Sequence, residues 1–160
     1  MKKAGKNKFK TLIFIICLII SFSPGIIGSF FTLNSVNSNW YQSSKPSFTP
    51  PNYVFPIVWN ILFLLIAFSL YFSWTNCKSR KQRAQIAWAF GLNLFFNALW
   101  SILFFKLQMP LLAFLDLALI IITLIVMLAF TSRISKTAFW LLIPYLAWLL
   151  FAAVLNWAFL

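Results

Sequence analysis

The groups able to do chemistry in this chain are few and widely separated. Asn93, Asn97 and Trp100 fall at i, i+4 and i+7, which places them on one stripe of a helix. Tyr145, Trp148 and Ala152 share another such stripe. Asp116 is the only acid, and Trp59 stands inside an apolar run. Histidine is absent, which removes the commonest metal ligand, the usual haem axial ligand and the serine–histidine catalytic pair. What is left is recognition chemistry: aromatic rings suited to a large π-surface, with few polar contacts to orient it.

The elements that must position these groups are transmembrane helices. Of 160 residues, 62% are hydrophobic and only 9% charged, and the mean hydropathy is +0.92, so lipid is the solvent. The net charge of +12 sits in short clusters between long uncharged runs. That is the pattern of a cytoplasmic membrane face, and no soluble surface remains for nucleic acid, so no nucleic-acid partner is expected. Cys17 falls in an apolar run and Cys77 in a basic loop, so both are expected to be free thiols.

The spacing predicts an all-α membrane protein, a single domain over 1–160 with five spans at about 11–33, 51–74, 84–105, 110–131 and 137–159. The lysine-rich start followed by LIFIICLII resembles a signal peptide. The apolar character continues to about Leu33, long enough for a bilayer, so a retained first helix is expected. With five spans, the basic residues divide as 11 on the side of the N-terminus and 2, Lys45 and Lys106, on the other. This puts the N-terminus in the cytoplasm and the C-terminus outside, in what is expected to be a bacterial cytoplasmic membrane. Small residues at Ser21, Gly25 and Ser29, and at Ala84, Ala87, Gly91 and Ala98, could each seat another helix, the second set one from a second subunit.

One long loop, 34–49, interrupts the helices. The stretch from Trp40 to Trp59 holds Pro46, Pro50, Pro51 and Pro56 among aromatic residues, a stiff lead-in to the second span. Thr49 is the expected N-cap, with Pro50 and Pro51 in the first turn and Pro56 weakening the turns that follow. The segment reads either as a lid over a pocket or as a re-entry turn with interfacial aromatics. Counting helical rise from the loop side, Trp59, Asn97, Asp116, Tyr145 and Trp148 gather in the same half of the bilayer. A carboxyl group there costs about 2.5–3.5 kcal/mol to insert. Asp116 is therefore either a ligand or proton contact, or hydrogen-bonded to Asn93, Asn97 or an indole N–H.

With these residues laid out, the sequence resembles the translocator protein family, also called tryptophan-rich sensory proteins (TspO/MBR) or peripheral-type benzodiazepine receptors. The resemblance covers nearly the whole chain and rests on WY at 40–41, KPSFTPP at 45–51, VW at 58–59, the Asn93, Asn97, Trp100 stripe, Asp116, and LLIPYLAW at 141–148. It implies a five-helix protein, often a homodimer, that binds porphyrins, sterols and synthetic aromatic ligands beneath the first loop. The implied ligand-binding residues are Tyr41, Trp59, Phe63, Asn97, Trp100, Asp116, Tyr145, Trp148 and Ala152. Trp59 and Trp148 also match the tryptophans implicated in a disputed breakdown of protoporphyrin, and no cofactor is implied. Two departures stand out: Phe48 replaces the tryptophan of the WxPP motif, and VLNWAFL at the C-terminus lacks the pattern proposed for cholesterol contact.

Three functions compete on the sequence. The first is a binding protein, sensor or transporter for a flat tetrapyrrole, with Lys45 either drawing a propionate or anchoring the interface. The second is a light- and oxygen-dependent porphyrin-degrading enzyme using Trp59 and Trp148. The third is a structural membrane protein whose aromatics only pack. Neither an inverted repeat nor a broken-helix pair marks a transport path.

Overall fold

A computed structural model describes residues 2–160, with side chains described for 8–33 and 35–160. The lysines at positions 2, 3 and 6 therefore lie outside the described side chains. The described residues form helices joined by turns and loops, with no strand: α1 (Lys2–Ser35), α2 (Asn39–Ser44), α3 (Val54–Asn76), α4 (Arg80–Ser101), α5 (Pro110–Ile134) and α6 (Lys136–Trp157). A π-helical turn, Ile102–Lys106, prolongs α4. Five stretches are long and apolar enough to cross a bilayer: Lys8–Leu33, Val54–Asn76, Arg80–Lys106, Pro110–Ile134 and Lys136–Trp157.

Short polar signals set the helix ends. The Ser79 hydroxyl accepts from Gln82 N at 3.1 Å, while Gln82 Oε1 accepts from Lys78 N at 2.7 Å. This is a capping box reaching one residue further back, and such a cap stabilises a helix by about 1 kcal/mol. Ser135 serves two helices. Its N–H closes α5 on Thr131 O at 2.8 Å, and its hydroxyl accepts from Ala138 N at 3.3 Å to open α6. Pro110 takes the first position of α5, where its missing donor is unneeded.

The start of α3 differs from the expectation. Thr49 is not its N-cap; the Thr49 hydroxyl donates to Pro46 O at 2.7 Å within a turn, and α3 begins only at Val54. Each proline of the Pro50–Pro51 pair biases the residue before it to extended backbone, which delays the helix. Pro56 then falls in the first turn, where backbone donors have no intrahelical partner, so it does not weaken α3 as the sequence suggested. The connecting segment consequently runs from 36 to 53 and contains α2.

Packing closes the spanning helices into a ring: α1 lies against α3, α3 against α6, α6 against α5, α5 against α4, and α4 against α1. Polar residues turn inward, with Ser21, Ser69, Ser73, Asn93, Asn97, Asp116, Thr131 and Asn156 all buried. Large apolar side chains such as Phe30, Leu33 and Trp88 face out. Hydrocarbon solvates apolar side chains but no hydrogen-bonding group, so lipid selects this distribution. Cys17 and Cys77 are free and buried.

Candidate functional site

Inside the ring, at the end that carries the 36–53 loop, lies a cavity of about 620 Å³. Its wall takes residues from α1, α3, α4 with its π turn, α5 and α6, and the loop contributes Tyr41, Thr49, Asn52 and Tyr53. Of the nine residues singled out from the sequence, Tyr41, Trp59, Phe63, Asn97, Trp100, Trp148 and Ala152 line it. Asp116 and Tyr145 do not; both are buried behind the wall.

Rings hold one another in place around the hollow. Trp59 stacks on Phe63 with centroids 5.3 Å apart and an interplanar angle of 27°, and meets Tyr145 edge-on at 6.1 Å. Trp148 meets Phe55 edge-on at 5.9 Å and leans on Phe151 at 5.4 Å. Trp100 stacks on Phe104 at 4.9 Å and 13°. These offset and T-shaped geometries are the favourable ones for aromatic pairs and fix each ring's pitch before any ligand arrives.

The amides form a scaffold behind the rings. The Tyr145 hydroxyl donates to Asn93 Oδ1 at 3.1 Å and accepts from Asn97 Nδ2 at 3.0 Å. Asn93 Nδ2 in turn donates to Ile120 O at 2.9 Å and to Thr123 Oγ1 at 3.0 Å, tying α4 to α5. A second chain runs from Trp100 Nε1 to Asn156 Oδ1 at 3.0 Å, and from Asn156 Nδ2 to Pro110 O at 2.9 Å. Buried polar groups are worth most when fully satisfied, and these two chains lock α4, α5 and α6 in register. Asn97, itself on the wall, keeps its Oδ1 unbonded, and the buried Trp148 Nε1 has no partner among the described residues. Neither oxygen of Asp116 finds a partner either, so the structure contains none of its expected bonds to Asn93, Asn97 or an indole.

The loop is fastened by its first half. Tyr41 stacks on Phe159 at 5.7 Å, Trp40 packs against Phe104 at 5.6 Å, and Phe104 meets Phe159 edge-on at 5.0 Å. The Ser38 hydroxyl caps α2 by accepting from Tyr41 N at 3.3 Å. Burial pushes the Tyr41 phenol above its ordinary range, so the ring facing the cavity is neutral. The second half is looser, with Phe48 and Tyr53 exposed. Lys45 is exposed and off the cavity wall, whereas the Lys106 ammonium sits 5.2 Å from the centre of the Phe31 ring.

Sequence reasoning missed Asn156, Phe159 and the π turn. Asn156 was within reach, since it continues the Trp148, Ala152 stripe at four-residue spacing and is polar inside an apolar span. Phe159 and the π turn carried no such signal. Gly28 was also overlooked; a Cβ there would stand 2.7 Å from Ser101 Oγ, so it is Gly28 that admits α4.

Comparison with known proteins gives a consistent result. The model of the TspO/MBR family matches residues 13–160. The chain is 43% identical over 135 residues to the tryptophan-rich protein TspO of Archaeoglobus fulgidus, covering 84% of this chain and 86% of that one. It is 37% identical over 149 residues to the protein of the same name from Chlorobaculum tepidum, covering 91% and 92%. With the translocator protein of Ovis aries the identity is 32% over 120 residues, covering 74% and 71%.

Proposed function

The chain belongs to the TspO/MBR family and is an integral membrane protein, and from that premise we propose that it binds porphyrins and other flat hydrophobic ligands in the cavity beneath its first loop. The observation that carries this reading is a cavity of about 620 Å³ walled by Trp59, Trp100, Phe104 and Trp148. Behind those rings Asn93, Tyr145 and Asn156 are tied into hydrogen-bonded chains, while the Asp116 carboxyl has no partner among the described residues. Sites for ligands of this size span about 300–1,000 Å³ and combine apolar walls with few polar contacts. Here the unpaired Asn97 Oδ1 supplies an acceptor on the wall, while Trp148 presents its ring and keeps its unpaired Nε1 buried. Tyr145 then acts from behind by holding Asn97 in position.

Titrating purified protein with protoporphyrin and following both the porphyrin absorbance shift and tryptophan quenching tests the reading. Trp59→Ala with Trp148→Ala is expected to weaken binding about 30-fold or more, as loss of aromatic anchors does. An affinity unchanged in the double variant contradicts it.

The same reading takes the basic end of the bundle to be cytoplasmic and the loop to lie outside, acting as the lid. It also takes the protein to be a homodimer. Ala84, Ala87 and Gly91 of α4 are exposed, and a Cβ at Gly91 would meet nothing within 4 Å. A second copy fits this small-residue face. Gly91→Trp is expected to give monomers in detergent by light scattering; a particle mass equal to the parent's removes the dimer from the proposal.

A further inference from the structure

The first helix changes partners along its length. Near the basic end it lies on α3: Phe14 meets Phe68 at 5.0 Å and Tyr71 at 5.4 Å, and Phe22 meets Phe63 at 5.8 Å. The last close approach is at Gly25, where an added Cβ would stand 2.6 Å from the Phe63 ring. Beyond that point the contacts of α1 are with α4 and its π turn. Gly28 abuts Ser101, the Ser35 hydroxyl donates to Phe105 O at 3.2 Å, and Lys106 covers Phe31. The two helices therefore fork above Gly25 and Phe63, and the cavity fills the fork.

The residues on the prongs of this fork do two things at once. Ile26, Ser29 and Leu33 of α1, with Tyr53, Pro56 and Asn60 around the start of α3, line the cavity and are also exposed on the outer surface of the bundle. Ile26 is 59% exposed, Leu33 71% and Tyr53 67%. The cavity is thus open sideways, at a depth where the neighbouring surface is Ile and Leu side chain. Three of the polar side chains at the opening are engaged by their own helices. The Ser29 hydroxyl donates to Ile26 O at 2.7 Å, the Thr32 hydroxyl to Gly28 O at 2.8 Å, and Asn60 Nδ2 to Pro56 O at 2.8 Å. Each of these three donors is closed on its own helix, Ile26, Leu33 and Pro56 offer the gap hydrocarbon, and the Tyr53 hydroxyl stands at its loop end.

We infer that this fork is a lateral window through which the cavity exchanges its contents with the bilayer: membrane-dissolved ligand passes between the loop-side halves of α1 and α3, and lipid acyl chains occupy the same space when ligand is absent. A lipid-facing opening whose serine, threonine and asparagine donors are already closed, with the Tyr53 hydroxyl at the loop end, admits an acyl chain or a flat apolar ligand without stranding those groups. An opening to water would leave the loop as the only door. The part concerning the ligand rests on the binding function proposed above; the part concerning lipid does not.

The test uses the full chain reconstituted in phosphatidylcholine vesicles, with the exposed Trp88, Trp140 and Trp157 replaced by Phe so that surface indoles do not report. Phosphatidylcholine with brominated acyl chains is expected to quench the remaining tryptophans, and filling the window by Ser29→Phe with Asn60→Phe is expected to relieve that quenching. The milder Ser29→Leu serves if the double variant does not fold. In the same vesicles, the filled window is expected to slow protoporphyrin binding and release each by about tenfold. Bromolipid quenching that is absent, or identical with the window open and filled, overturns the inference. So do porphyrin rates that ignore the filling. If bromolipid quenching responds while no porphyrin binds to the parent, the window stands and the ligand assignment above falls.

Discussion

At the residue scale, the polar groups around the cavity divide into those on its wall and those that only hold the wall in place. Tyr145 belongs to the second kind: it is fully buried, lies off the cavity wall, and bonds two asparagines of α4. Tyr145→Phe leaves the ring and strands Asn93 Oδ1 and Asn97 Nδ2, a loss of about 1–3 kcal/mol. It should lower the melting temperature in detergent while protoporphyrin affinity, read below the melt, falls far less than in the Trp59, Trp148 double variant. A melting temperature equal to the parent's would show the network to be idle. The importance of these residues was legible in the sequence because two amides on one face of a lipid-embedded helix must find partners inside. Their division into wall and scaffold was not. That division depends on how far each side chain reaches past its neighbours, and spacing along a helix fixes direction without fixing reach.

At the scale of elements, the spans were readable from length and hydropathy and the start of α5 from Pro110, whereas the caps at Ser79 and Ser135 went unread and α4 begins at Arg80, before the expected 84. The entrance to α3 was misread because two adjacent prolines look like a first helical turn when the bias of each on the preceding residue is ignored. Helix pairing was only half legible. The four-residue series Ser21, Gly25, Ser29 predicted a close approach, yet Ser29 is exposed and Gly28 makes the contact with α4. Gly28→Ala puts a methyl group 2.7 Å from Ser101 Oγ and 3.3 Å from Ser101 Cβ. Forcing α1 off α4 should destabilise by about 1–3 kcal/mol. Adding Ser101→Ala removes the nearer contact and should recover part of the loss, as thermal melts of the two single variants and the double variant would reveal. Equal melting temperatures for all three would mean that α1 does not depend on this contact.

At the scale of the whole molecule, one asymmetry organises everything else. Among the described residues the loop-bearing end has two cations, Lys45 and Lys106, and the opposite end carries Lys8, Lys10, Lys78, Arg80, Lys81, Arg83, Arg133 and Lys136. In the proposed orientation, which follows the positive-inside tendency, the cavity lies toward the outer face. An impermeant maleimide applied to intact cells should label Lys45→Cys and spare Ser79→Cys; the reverse pattern would invert the proposed orientation. Ring closure of the five spans, by contrast, could not be read from the sequence. It rests on contacts between helices far apart in the chain, such as the Ser69 hydroxyl of α3 donating to Ala138 O of α6 at 2.8 Å. The central claim, that rings converging from several helices hold a flat ligand in one hollow, is tested most directly by a crystal structure of the protein soaked with protoporphyrin. The account predicts macrocycle density between Trp59, Trp100 and Trp148 and beneath Tyr41. Density confined to the lipid-facing surface, with the hollow left without porphyrin, would contradict it.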